Sequence, residues 1–104
     1  MATTTKALAR TAAATSSTTL YTAPNTTTLA IVTNIVLANA ATSASSATIA
    51  IDGVVIVPTI SIPANSVVGF DMKQVIPANN PAKTITGYAS TTAVTIHISG
   101  VEIN

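Results

Sequence analysis

The sequence predicts an all-β fold, a small antiparallel β-sandwich, jelly-roll-like or immunoglobulin-like, of about seven or eight strands. Three observations lead there. Apolar residues recur at a period of two in most segments, and the bulky ones are mainly β-branched. Turn-forming Pro, Gly, Asn and Asp return about every 8 to 12 residues. Beyond residue 17 no stretch carries the 3.6-residue period of a helix. With 104 residues the chain has room for one domain and a modest core. Residues 1–17 are assigned to an N-terminal arm and 18–104 to the sandwich, and no internal repeat suggests a solenoid.

The arm, MATTTKALARTAAATSS, holds Ala, Thr and Ser, two basic groups, and Leu8 as its one large apolar residue after Met1. Such a segment has little intrinsic structure and is expected to order only along a neighbouring subunit, or to fray as a tail; its composition also has something of an organelle transit peptide. Thr18 to Thr22 forms a short strand, with Leu20 and Tyr21 on opposite faces, closed by Pro24-Asn25. The organising strand is Thr26 to Ala40. It places Leu29, Ile31, Ile35 and Leu37 on one face, expected to be the core face, and Ala30, Val32, Val36 and Ala38 on the other. Thr33 and Asn34 fall mid-run, where a polar residue toward the core predicts a bulge or bend. Ala41 to Ser46 is a loop of small polar residues.

Ala47 to Asp52 alternates with Ile49 and Ile51 inward, and Asp52-Gly53 then joins it to Val54–Val57 in a two-residue hairpin. Pro58 and Pro63 bracket Thr59–Ile62 and confine it to a sheet edge. After the Pro63-Ala64-Asn65 turn, Ser66 to Lys73 points Val68, Phe70 and Met72 inward, with Phe70, the one phenylalanine, expected at the centre of the core. Gln74-Val75-Ile76 leads into the loop Pro77 to Ala82. Lys83 to Ser90 returns as a strand with Ile85 and Gly87 inward and Tyr88 outward. In the last run Val94, Ile96 and Ile98 share a face, and Val101 and Ile103 take the opposite one. The switch across Ser99-Gly100 predicts a bulge or a crossing between sheets at Gly100.

Composition narrows the function. The chain is 48% hydrophobic but only 7% charged and 3% aromatic, against about 25% charged in ordinary soluble domains. A surface made of neutral polar and small apolar groups repels neighbours weakly, which suits a subunit covered by other subunits. Lys6 and Arg10 make the arm slightly basic, and the rest is nearly neutral. No clustered basic footprint for nucleic acid is present, and no apolar run reaches the ~20 residues of a membrane span. Without cysteine there is neither disulfide nor thiolate metal site.

Side-chain catalysis needs a base, a nucleophile or a metal held among polar groups. His97 is the one histidine, and the acids Asp52, Asp71 and Glu102 are widely spaced. His97 reads as a surface or interface residue bonded to a neighbouring hydroxyl, or as a pH-sensitive contact where copies meet. The hydroxyls lack an adjacent base. The sequence thus predicts no enzyme, no cofactor and no metal. Tyr21 and Tyr88 are candidate interface anchors, since a tyrosine joins an apolar body to a polar tip.

Tyr21-Thr22-Ala23-Pro24 leads through a Thr-rich turn into the long apolar strand. Asp52-Gly53 follows, then Ile62-Pro63-Ala64-Asn65 before the Phe-bearing strand, and the closing run from Val94 to Ile103. From Tyr21 onward this pattern resembles small virion structural proteins of tailed bacteriophages. The resemblance implies a β-sandwich subunit on the capsid exterior, a decoration or cement protein that is commonly a trimer, with the major capsid protein or another virion protein as partner. Some similar proteins are tail, baseplate or fibre components, which keeps an adaptor or host-surface-binding role as the alternative. The resemblance brings no catalytic residue. On this view Lys6 and Arg10 form a capsid-docking arm, Tyr21, Tyr88 and His97 are candidate interface residues, and removal of Met1 to Ser17 should weaken attachment without unfolding the body.

Overall fold

The computed structural model describes residues 3–23, 28–78 and 82–103, and among them it contains eight strands and no helix. These are β1 (Thr3–Ala12), β2 (Thr18–Thr22), β3 (Leu29–Asn39), β4 (Ser45–Ile51), β5 (Val54–Ile62), β6 (Ser66–Ile76), β7 (Thr84–Ala89) and β8 (Val94–Ile103). Antiparallel ladders join β1 to β8, β2 to β7, β3 to β6 and β4 to β5. The chain is therefore one long two-stranded ribbon folded back at the β4–β5 hairpin. Ladders β3–β8 and β4–β7 wrap the ribbon into two four-stranded sheets, ordered β1-β8-β3-β6 and β2-β7-β4-β5. Of the two expected topologies this is the jelly roll, not the immunoglobulin arrangement.

Turn chemistry fixes the fold-back. Asp52 and Gly53 both have positive φ, 55° and 75°, as a two-residue hairpin loop of matching twist requires. Lys83 Nζ lies 3.1 Å from Asp52 Oδ1 and ties the hairpin to the start of β7. β5 is an edge strand, as Pro58 within it and Pro63 just beyond it demand. Val57 pairs with Ile49 and Ile60 with Ala47, so Pro58 and Thr59, the latter at φ 39°, bulge out of the ladder.

Between the sheets lies an almost purely aliphatic core, with Ile35, Leu37, Ile49, Ile85, Ile96 and Ile98 fully buried. Burial of each such side chain contributes about 1.5–3 kcal/mol. Asn39, at the end of β3, is 2% exposed and hydrogen-bonded on both sides of its amide. Its Oδ1 accepts from the Ala41 N–H at 2.9 Å and the Ser45 hydroxyl at 3.4 Å. Its Nδ2 donates toward the carbonyls of Ser43 at 3.0 Å, Ile62 at 3.1 Å and Pro63 at 3.3 Å. This one side chain fastens the end of one sheet to the end of β5 in the other.

Four expectations are corrected. Thr3–Ala12 is not a poorly structured arm: it is the edge strand β1, and Leu8, Ala9 and the following Ala13 are buried. A strand with so little apolar bulk is held by its partner β8, whose free edge it satisfies. In β3 the bulge at Thr33 is present, and it changes the phase. Ala30 and Val32 face the core before it and Ile35 and Leu37 after it, which puts Leu29 and Ile31 on the outer face. Phe70 is only half-buried, because β6 is an edge strand and its inner face meets less of the opposite sheet.

Finally, Gly100 carries no bulge. β8 alternates regularly, and the extra residues sit in its two neighbours, Leu8 in β1 and Thr33 in β3. Leu8 folds over Gly100. A Cβ there would stand 2.7 Å from Leu8 Cδ1 and run into the Ile31 carbonyl oxygen, so the glycine makes room for both. The turns Pro24-Asn25 and Asn79-Asn80-Pro81 lie outside the described residues.

Candidate interaction surface

The outer face of the β1-β8-β3-β6 sheet is set by register. Toward the Ile103 end of β8, Thr5, Val101, Ile31 and Val75 stand in one row across the four strands, with Ile103 and Leu29 in the row below. Val75 is 59% exposed, and Leu29, Ile31, Val101 and Ile103 are half-exposed. The Thr33 phase change turned Leu29 and Ile31 outward, so the bulge creates this apolar band. Further up the sheet Arg10, His97, Val36 and Gly69 form a row, followed by Ala12, Thr95, Ala38 and Val67, of which Val67 is 65% exposed. At the irregular point where Thr33 opposes Met72 and Lys73, a depression of about 490 Å³ is lined by Thr33, Asp71, Met72 and Lys73.

The structure separates the residues that the sequence grouped. Lys6 and Arg10 both lie in β1, but Lys6 reaches Glu102 at 3.4 Å within its own chain, while Arg10 is exposed opposite His97. Tyr21 is buried, so it offers nothing to a partner. Its hydroxyl crosses between the sheets and donates to Glu102 Oε2 at 2.5 Å. Burial first, then the hydrogen bond to Glu102 and its charge, hold the Tyr21 phenol well above the ordinary tyrosine range.

His97 lies on the outer face between Arg10 and Val36. Tyr88 lies on the outer face of the other sheet, opposite Thr48, and flanks a groove of about 280 Å³ lined also by Ser17, Ala50, Val55 and Thr86. The two residues thus belong to opposite sides of the sandwich.

Glu102 is the residue that sequence reasoning passed over. It lies on the inner face of β8 beside Ala30, with a side chain only 12% exposed, and accepts from both Lys6 and Tyr21. Its even-numbered place in the alternation Val94, Ile96, Ile98 was the available signal. The bulge assumed at Gly100 hid it. Among the described residues no three His, Cys, Asp or Glu side chains gather in a group that could hold a metal ion.

Compared with protein-family models, with curated proteins and with solved structures, the chain finds no match in any of the three.

Proposed function

We propose that this chain is a structural subunit of a bacteriophage particle, a decoration or cement protein that lies over junctions between capsid subunits and stabilises the shell. The observation that carries this reading is the outer band of Leu29, Ile31, Val75, Val101 and Ile103, an apolar, charge-free strip on a broad sheet face. The whole outer face, four strands about 4.8 Å apart and about ten residues long at ~3.3 Å each, offers roughly 600 Å² against the ~800 Å² per partner of a standard interface, with the apolar band at its Ile103 end. Repetition over a shell multiplies such modest contacts. The jelly roll occurs in capsid subunits and in lectins, so fold analogy favours neither reading, and the support for the first comes from the surface.

The docking element differs from the arm first envisaged. Removal of Met1 to Ser17 would take away an edge strand together with Leu8 and Ala9, so truncation would test stability more than attachment. The discriminating experiment is co-sedimentation of purified protein with shells that lack it, comparing wild type with Ile31→Lys and Val101→Lys. Wild type is expected to bind and to raise the temperature at which shells rupture. Both variants should remain folded and lose binding by at least tenfold, as expected when a charge is buried unpaired in an interface. Equal binding by all three would refute this face as the contact. The alternative, a tail or fibre adaptor, finds support in the groove beside Tyr88. Labelling of the tail instead of the shell in intact particles would establish it.

A further inference from the structure

We infer that two copies of this chain pair through β6, edge to edge and antiparallel, about a two-fold axis at Met72. The edges of the sandwich are not equivalent. β5 is interrupted by Pro58 and the positive-φ Thr59, and β2 has only five residues. β1 carries two charges, Lys6 and Arg10, and both are positive. β6 is the longest of the four edges, with eleven residues and no proline; its exposure alternates from Ser66 to Val75, while its ladder to β3 slips by one residue at Met72 and Lys73. Its inner-face residues Val68, Phe70 and Met72 pack on the core yet remain half-exposed at the open side. Long edge strands of this kind template pairing unless charge forbids it.

Charge here selects a partner. Two ion pairs inside the chain, Lys6 with Glu102 and Lys83 with Asp52, leave Arg10, Asp71 and Lys73 without an ion-pair partner among the described residues. Asp71 and Lys73 are both exposed, share the outer face of β6 and flank Met72. An antiparallel copy centred on Met72 sets Asp71 against Lys73 of the second copy and Lys73 against its Asp71, with Phe70 beside Gln74 and Gly69 beside Val75. Opposite charges directly across a ladder stabilise it, and like charges oppose it. The two neighbouring registers that keep each face aligned would set Asp71 against Asp71 or Lys73 against Lys73. A lone lysine would guard this edge; Asp-x-Lys makes it self-complementary. Pairing covers Phe70 and Met72 and joins two four-stranded sheets into one continuous sheet. The contact is isologous and closes on itself, so it gives a pair in place of the trimer that the resemblance implies.

Sedimentation velocity over a concentration series tests it on the full chain, with circular dichroism confirming that each variant is folded. Wild type is expected to show a monomer–dimer equilibrium. Asp71→Lys and Lys73→Asp, each converting two attractive contacts into repulsive ones, should weaken it roughly ten- to thirtyfold, and the double variant Asp71→Lys/Lys73→Asp should restore it to within about threefold. Because the chain has no cysteine, Met72→Cys gives a single thiol, expected to cross-link to its own copy under mild oxidation, whereas Val67→Cys should not. A wild type that stays monomeric to millimolar concentration, or a dimer indifferent to both single charge reversals, would overturn the pairing. The inference stands apart from the virion reading: a charge-sensitive dimer that ignores shells would sink that reading and leave this one intact.

Discussion

Gly100→Ala probes how the two bulged strands meet. The added methyl would stand 2.7 Å from Leu8 Cδ1 and 3.2 Å from Leu8 Cγ, and would run into the carbonyl oxygen of Ile31. Leu8 can turn aside, but Ile31 belongs to the central strand β3 and is held in its ladder to β8. Relief therefore requires the β3–β8 ladder to open locally beside Val32, which is fully buried. Overpacking alone costs about 1–3 kcal/mol. A weakened ladder hydrogen bond adds about 1 kcal/mol, for a total near 3 kcal/mol. For a chain of about 100 residues that corresponds to a fall in Tm of roughly 12–24 °C.

Gly69→Ala supplies the control, since its Cβ would meet only Val36 Cγ2 at an ordinary 3.9 Å. That variant should be neutral, or more stable by about 0.4–1 kcal/mol through a less flexible unfolded chain. Urea unfolding of wild type and the two variants, with unchanged m values, gives the comparison. If Gly100→Ala lost less than about 0.5 kcal/mol, the close approach of Leu8 and Ile31 to Gly100 would be wrong, and with it the placement of both bulges.

Two further outcomes are expected. Asn39→Asp removes the donor that faces the Ser43, Ile62 and Pro63 carbonyls and puts a carboxylate against them, which should cost about 3–5 kcal/mol at neutral pH. The carboxyl is then held above its unfolded value near 4, so chemical denaturation should show part of the loss recovered as pH falls from neutral toward about 4, with no further recovery below it. Tyr21→Phe deletes the hydrogen bond to Glu102 and should cost about 1.5–3 kcal/mol at neutral pH. Because the folded phenol is held above its unfolded value near 10, its contribution is complete below pH ~10 and declines as pH rises beyond it. The gap between wild type and Tyr21→Phe should therefore narrow above pH ~10 in urea titrations. A gap independent of pH would show that the phenol is not shielded.

Local chemistry was legible wherever a residue can do only one thing. Asp52-Gly53 specified its hairpin because both positions require positive φ, and Pro58 and Pro63 sent β5 to an edge because they cannot donate to a central ladder. The alternation in β4, β7 and β8 named Ile49, Ile85, Ile96 and Ile98 as core because a pleated strand has only two faces. Tertiary structure decided what depends on a distant partner. Thr3–Ala12 becomes a strand through β8, far along the chain, and nothing in its own Ala and Thr residues signals that pairing. Phe70 belongs to the periphery because strand order, invisible in local pattern, makes β6 an edge. The outward band of Leu29, Ile31, Val101 and Ile103 exists because register between β3 and β8 places the extra residue at Thr33 and not at Gly100, and register is a property of two strands together.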